Sequence, residues 1–451
     1  MDSPGSGHRR NASIKATRPR SATKGPLDAP DDAAPAVTTV PIRSQSHTPL
    51  RCASASPTSL PLLSMLSIDD TLSVSTDKSF AYLLRPDIYH PLSLLNISPA
   101  FRSEIPTPSP DEPLPTSLAT LENLLNDGHF LLAAHLSAAI LTSSALSHDD
   151  HKKIFSLLYI RLACLELTGN TLLAAQEAKA LEDLSSDFYY VDIKPEAEGT
   201  SGDAGQGFQT QHIVPWPLRV LAARLQSIGF GDSRKGISGL YELGLEARKR
   251  LSHKGLGQDE RKVWKSRLAD LRIRVINTLI EMNDLDAARR SLANLKVPPK
   301  EQALMTSRMT LLYLKVGDVE AARQLLDNFP IEAGGILHCL LCMAEGRYAD
   351  AVSGWEALRA SHIGEEDEAL IAQNLAVCLL YTGKLNESRE LLESLVNNNH
   401  SFQSLTFNLA TIYELCSEKS RYLKSDLTER VASQPPSRIR NWERPNADFK
   451  L

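Results

Sequence analysis

Two places in this 451-residue chain carry residue types and spacings that could do chemistry. The first is His338-Cys339-x-x-Cys342, an imidazole and two thiols at the short spacing of a zinc site. Zinc needs a further ligand set, and no second pair follows at suitable spacing. The three residues also sit in an apolar run that reads as buried helix, so they are assigned to the core. The second place is the run containing Gly199, Gly202, Gly205 and Gly207. A phosphate-cradling loop needs a strand before it and a helix-opening Lys-Ser/Thr after it, and this run has neither. No Gly-x-Ser-x-Gly elbow occurs, and scattered His, Asp and Ser residues cannot be assembled into a triad from sequence. The chain therefore reads as a non-enzyme with no cofactor and no metal.

Charge and aromatic density mark the remaining candidates, and both point to binding. Residues 248–274 hold ten bases against three acids. A solvated helix face would account for this. The functional alternative is a site for an acidic partner or an anionic membrane surface, with Arg261, Lys265, Arg272 and Arg274 as its contacts. Residues 78–105 form an apolar cluster broken by Pro86, Pro91 and Pro99, so they cannot make one helix. Phe80, Tyr82, Tyr89 and Phe101 are its candidate contact residues. Either the segment packs along the rest of the chain as an extended arm, or it docks on a partner and orders on binding.

The bulk properties narrow the class. A formal net charge of −5 leaves no global nucleic-acid footprint. No charge-free run of 18 apolar residues occurs, so no membrane span is expected. The N-terminus lacks the apolar core of a signal peptide, which argues against secretion. The six cysteines lie mostly in apolar helical runs and read as reduced core residues of a cytosolic protein.

The elements that would position these residues are helices in a repeat. Asn374-Leu375-Ala376 recurs as Asn408-Leu409-Ala410 after 34 residues, the period of a tetratricopeptide helix–turn–helix. A turn residue is followed two places on by an apolar residue and five places on by a small one. Gly383 has Leu385 and Ser388; Gly346 has Tyr348 and Ala351. Gly317 has Val319 and Ala322; Asn283 has Leu285 and Ala288. Weaker copies sit at Gly128 with Phe130 and Ala133, Gly169 with Ala174, and Gly231 with Gly236. The turn residue must tolerate a left-handed backbone, and the small one lets two helices cross closely. One such hairpin cannot bury its own apolar face, so neighbours must stack. The expected fold is all-α, a tetratricopeptide-repeat helical-hairpin solenoid with a disordered N-terminal tail.

Along the chain, residues 1–77 read as a disordered Ser/Pro-rich basic tail and 78–116 as the apolar arm and its proline linker. The solenoid is expected over 117–432. Its first helices fall at 117–127, with Thr116 or Ser117 as N-cap, and at 129–143, 149–168 and 171–184. A loop insertion at 185–215 follows, and helices resume at 217–229 and 233–253. The repeat rule fails at Ser417. The next helix, 418–432, is polar on most sides, as a terminal cap should be. Residues 433–451 are an irregular tail.

The run from Asn374 to Ser388, with Phe407-Asn-Leu-Ala-Thr-Ile-Tyr-Glu-Leu415, resembles the family of subunit 12 of the TRAPP tethering complex. Tyr159-Ile-Arg-Leu-Ala163, Trp264-Lys-Ser-Arg-Leu268 and Gly128-His129-Phe130 extend the resemblance over roughly 118–432, while the 185–215 loop departs from it. The resemblance implies a non-catalytic scaffold among other TRAPP subunits, especially the large accessory ones, in transport from endoplasmic reticulum to Golgi and in autophagy. A Rab GTPase would be a partner only indirectly, through nucleotide exchange by the whole complex. The location implied is cytoplasmic, peripheral at Golgi and ER–Golgi intermediate membranes, with membrane contact through the complex. The rival reading is a stand-alone adaptor that grips an acidic or helical peptide of a chaperone or other partner through the bases.

Overall fold

The computed structural model describes residues 78–92, 112–193, 209–253, 256–295, 302–327, 331–361 and 365–434. The expectations for the tail 1–77, Phe101, the glycines at 199–207 and the tail from 435 lie outside these residues. Helices dominate. The first five are α1 (Leu114–Asp127), α2 (Phe130–Leu141), α3 (His151–Leu167), α4 (Thr171–Glu177) and α5 (Trp216–Gly229). Next come α6 (Ser233–Ser252), α7 (Gln258–Glu281), α8 (Leu285–Ala293) and α9 (Gln302–Val316). Then follow α10 (Val319–Asp327), α11 (Ile331–Ala344), α12 (Tyr348–Ala360) and α13 (Glu365–Tyr381). The last are α14 (Leu385–Asn397), α15 (Gln403–Cys416) and α16 (Ser420–Ser433).

The repeat register is visible in the backbone. All seven turn positions read from the sequence have positive φ: Gly128, Gly169, Gly231, Asn283, Gly317, Gly346 and Gly383. Asn283 shows the requirement best, because it takes φ 61° without being glycine, and Asn is a residue that tolerates that region. The small residue five places on is buried in every case. At Gly236 a Cβ would lie 2.6 Å from the Ser227 Cβ, which is how closely α5 and α6 cross. At Ser417, where the rule fails, φ is −145° and the backbone is extended.

Consecutive helices pack in pairs, and α9 also meets α11 while α3 meets α5. The core divides into three apolar clusters along the stack. Helix α5 gives Leu218 and Leu225 to the first cluster and Val220 and Ala223 to the second. Helix α11 likewise gives Leu337 to the second and Cys339 to the third. Each shared helix joins neighbouring layers, as a stack of hairpins requires. The fold is an all-α helical solenoid.

Three local expectations need correction. Helix α1 starts at Leu114, ahead of the expected cap at Thr116 or Ser117, with Pro113 extended at the N-cap and Pro115 in the first turn. Proline lacks the N–H that a first turn leaves unpaired, so the helix begins through it. The 185–215 insertion is not all loop: β1 (Tyr190–Ile193) and β2 (Gln209–His212) pair antiparallel, Tyr190 opposite His212. Cys416 is exposed rather than in the core. The other cysteines described agree better with expectation. Burial pushes the Cys339 and Cys378 thiols up to about 11, so at neutral pH they are protonated and poor metal ligands.

Candidate partner-binding surfaces

The N-terminal arm is the first candidate, and its rings face inward. Residues 78–92 make two short 3-10 turns, Ala81–Leu84 and Pro86–Ile88, as the prolines require. Phe80 is fully buried, edge-on to Phe155 of α3 at 5.1 Å, and its N–H donates to the His148 carbonyl. Tyr89 is buried and donates to the Leu83 carbonyl at 2.6 Å. Half-buried Tyr82 meets the Tyr189 hydroxyl at 2.7 Å. Tyr189 spends its proton on the Leu181 carbonyl, so Tyr82 is the donor. The described part of the arm thus packs along the solenoid, the first of its two readings. Phe80 and Tyr89, expected as partner contacts, serve the chain's own core: Phe80 packs on Phe155, and both rings belong to the first apolar cluster.

A buried ion pair fixes the arm's far end. Arg161 on α3 and Glu177 at the end of α4 are both essentially inaccessible. Arg161 Nε and Nη2 donate to the two Glu177 oxygens at 3.0 and 2.7 Å. Its remaining donors reach the Ala134 carbonyl at 2.8 Å and the His90 carbonyl at 2.9 Å. The His90 N–H returns a bond to Glu177 Oε1 at 2.9 Å. Arm, α2, α3 and α4 therefore meet at one guanidinium whose charge is fully matched.

The second candidate is the basic stretch, which forms the end of α6 and most of α7. At about 100° per residue, Arg261, Lys265 and Arg272 share one side of α7, while Arg274 falls on the opposite side. There Arg274 Nε bonds Asp270 at 2.6 Å and lies near Tyr159 of α3. So the structure gathers three of the four expected bases and sets the fourth on the far side of α7, half exposed and paired with Asp270. On α6, Tyr241, Leu245 and Arg248 share the side of the helix turned away from Glu246, which pairs with Arg219 of α5. Tyr241 and Leu245 are exposed. Among the described residues, Arg248, Lys249, Lys265 and Arg272 have no acidic partner. Helix length explains the exposure. At about 1.5 Å per residue α6 and α7 run roughly 30 and 36 Å, against roughly 14 Å for α8 and 22 Å for α9, so their ends overhang the next hairpin.

The other side of this hairpin, facing α5, was not singled out from the sequence. Arg219 of α5 makes a two-pronged pair with Glu246 of α6. Burial opposes the Glu246 charge, but the Arg219 bonds outweigh it and hold the carboxyl below its usual range. The Arg267 guanidinium lies 4.5 Å from the Trp264 ring and 5.1 Å from the Trp216 ring. The two indoles meet edge-to-face at 5.4 Å. Trp264 and Arg267 fall in the Trp264–Leu268 run that carried part of the family resemblance, but nothing in the sequence joined them to Trp216.

The β-hairpin is anchored beside it by His212. Val214 N–H donates to His212 Nδ1 at 3.0 Å, and Nε2 meets the Leu184 carbonyl at 2.9 Å. Nδ1 must therefore be bare and Nε2 protonated: a neutral ring. Burial, then Arg219, lowers the His212 pKa to about 4. The folded value lies below the unfolded one, so the contribution to stability is full above about pH 6.5 and lost as pH falls toward about 4. Denaturant midpoints over that range should fall more steeply for this chain than for a His212→Asn variant. Equal slopes would assign the loss to other groups.

Among the described residues no helix is long and apolar enough to cross a membrane, and no group of three or more His, Cys, Asp or Glu side chains could hold a metal ion. The class that emerges is a helical-hairpin solenoid with exposed basic and apolar surface. The chain is 26% identical over 357 residues to trafficking protein particle complex subunit 12 of Mus musculus, which takes in 70% of this chain and 43% of the mouse protein. It is 26% identical over 357 residues to the same subunit of Homo sapiens, 47% of that protein. The relationship is distant, and the chain spans less than half the length of these curated relatives. No protein-family model matches the chain, and no solved structure matches it.

Proposed function

We propose that this chain is a non-catalytic scaffold subunit of a TRAPP-type vesicle-tethering assembly. The observation that carries the proposal is the 26% identity to subunit 12 along 70% of the chain. The solenoid supports it, since stacked hairpins offer long surfaces for other chains. On this reading the chain contacts other tether subunits, the large accessory ones above all, and acts at Golgi and ER–Golgi intermediate membranes in secretory transport and autophagy. A Rab GTPase is affected only through exchange by the whole assembly. The gathered bases Arg261, Lys265 and Arg272, with the exposed edge of the arm, are the proposed contact surfaces.

The rival adaptor reading draws on the same bases, which lack acidic partners. Affinity purification of the tagged chain from its native cells, with the recovered proteins identified, separates the two. Near-equal recovery of large tether subunits is the expected result. Recovery of chaperones in their place would transfer the argument to the adaptor.

A further inference from the structure

Beyond the assembly reading, the cluster facing α5 has the composition of a ligand site. It holds two guanidiniums, Arg219 and Arg267, and one carboxylate, Glu246. Both oxygens of Glu246 are engaged by Arg219. Arg267 is partly buried, and among the described residues no carboxylate lies within ion-pairing distance of it. Its neighbours are rings: Trp264 and Trp216 lie against its planar group. Stacking uses the faces of a guanidinium and leaves its N–H edge free. The indoles are set at 84° to each other, so the group can lie flat against only one of them while the other flanks it. Arg219, whose charge Glu246 matches, leaves its Nε buried with no hydrogen-bond partner. His212, held neutral by its two bonds, adds no further charge. The three charged groups named thus sum to one surplus positive charge, with Arg250 also acting on Glu246, and a planar set of donors lies between two aromatic walls. Tryptophan and arginine together are also the residues that dominate interface energetics.

We propose that the Trp216–Trp264–Arg267 cluster receives a carboxylate side chain presented by a partner protein, which pairs two-pronged with Arg267. A planar carboxylate matches the fork of a guanidinium, and the surplus charge requires an anion. This site lies on the side of the α6–α7 hairpin opposite to Arg261, Lys265 and Arg272, so it is separate from the proposed contact surface. It would stand even if the tethering assembly were the wrong setting.

The test uses the full chain labelled with 5-fluorotryptophan, read by fluorine NMR. The probe is a 12-residue peptide with glutamate at alternate positions; a matched glutamine peptide is the control. The glutamate peptide should shift the Trp216 and Trp264 resonances saturably, leave that of fully buried Trp355 in place, and the glutamine peptide should shift none. Arg267→Gln should weaken the response at least tenfold, and Lys262→Gln, on the other side of α7 and paired with Asp259, should leave it unchanged. If Arg267→Gln fails to fold, Arg267→Lys keeps the charge but not the fork and should still weaken binding clearly. A response independent of Arg267, or no saturable response, would overturn the proposal. So would inorganic phosphate or phosphatidylserine vesicles shifting the same resonances where the peptide does not.

Discussion

Replacing Glu177 with Gln should destabilise the first layer of the solenoid by about 3–5 kcal/mol, because it leaves the Arg161 charge buried without its counter-ion. The geometry makes the penalty hard to escape. Neither side chain reaches solvent, and every route for Arg161 to turn outward breaks its bonds to the Ala134 and His90 carbonyls. The arm should loosen first, since the His90 N–H also loses its charged acceptor. Hydrogen exchange would show this as lost protection in 78–92 and α1–α4, with α12–α16 unchanged. A double change to apolar residues, Arg161→Met with Glu177→Leu, should recover only part of the loss. It removes both charges but leaves the His90 carbonyl and N–H without their partners, while the Ala134 carbonyl keeps the Ser137 hydroxyl. Unchanged stability in Glu177→Gln would mean that the arm is not held by this pair.

Trp355→Ala should cost a similar amount, about 3–5 kcal/mol, by opening a cavity at the centre of the third cluster. Trp355 is the largest fully buried side chain described, and it lies among Ala351, Cys378 and Leu392. Helix α12 cannot collapse onto the gap freely. Gly354 already passes so close to Cys339 that an added Cβ would sit 2.6 Å from its sulfur. In a stack, each layer depends on its own core and its neighbours'. Exchange protection should therefore fall in α11–α15 and persist in the arm and α1–α4, the reverse of the Glu177→Gln pattern. A loss spread evenly over the chain in both variants would show one cooperative unit instead of coupled layers.

These two variants mark what could and could not be read from the residues. The layers were legible, because the turn residue and the small residue five places on are local demands of backbone and helix crossing. Asn283, with Leu285 and Ala288, was placed correctly without any glycine. The Arg161–Glu177 pair was not legible. Sixteen residues separate its partners, and nothing local distinguishes a buried charge from an exposed one. The arm's aromatic residues were flagged, yet their density fits a docking surface and a private core equally well; only the burial of Phe80 and Tyr89 in the fold decides. Arg274 was grouped with its neighbours by composition alone, and helical angle separates it. The four-residue strands β1 and β2 lacked a signal, since Gln-Thr-Gln-His shows no alternation. Trp216, Trp264 and Arg267 come from two distant helices, so their meeting is a property of the fold.

The central claim is that this solenoid works as a built-in part of a larger tether. Native extract fractionated by size, with the chain detected alongside large TRAPP subunits, tests it most directly. The account predicts that most of the chain travels with those subunits, far above the 49.6 kDa of the single chain. Most of the chain running alone at that mass, in undiluted extract at moderate salt, would contradict it.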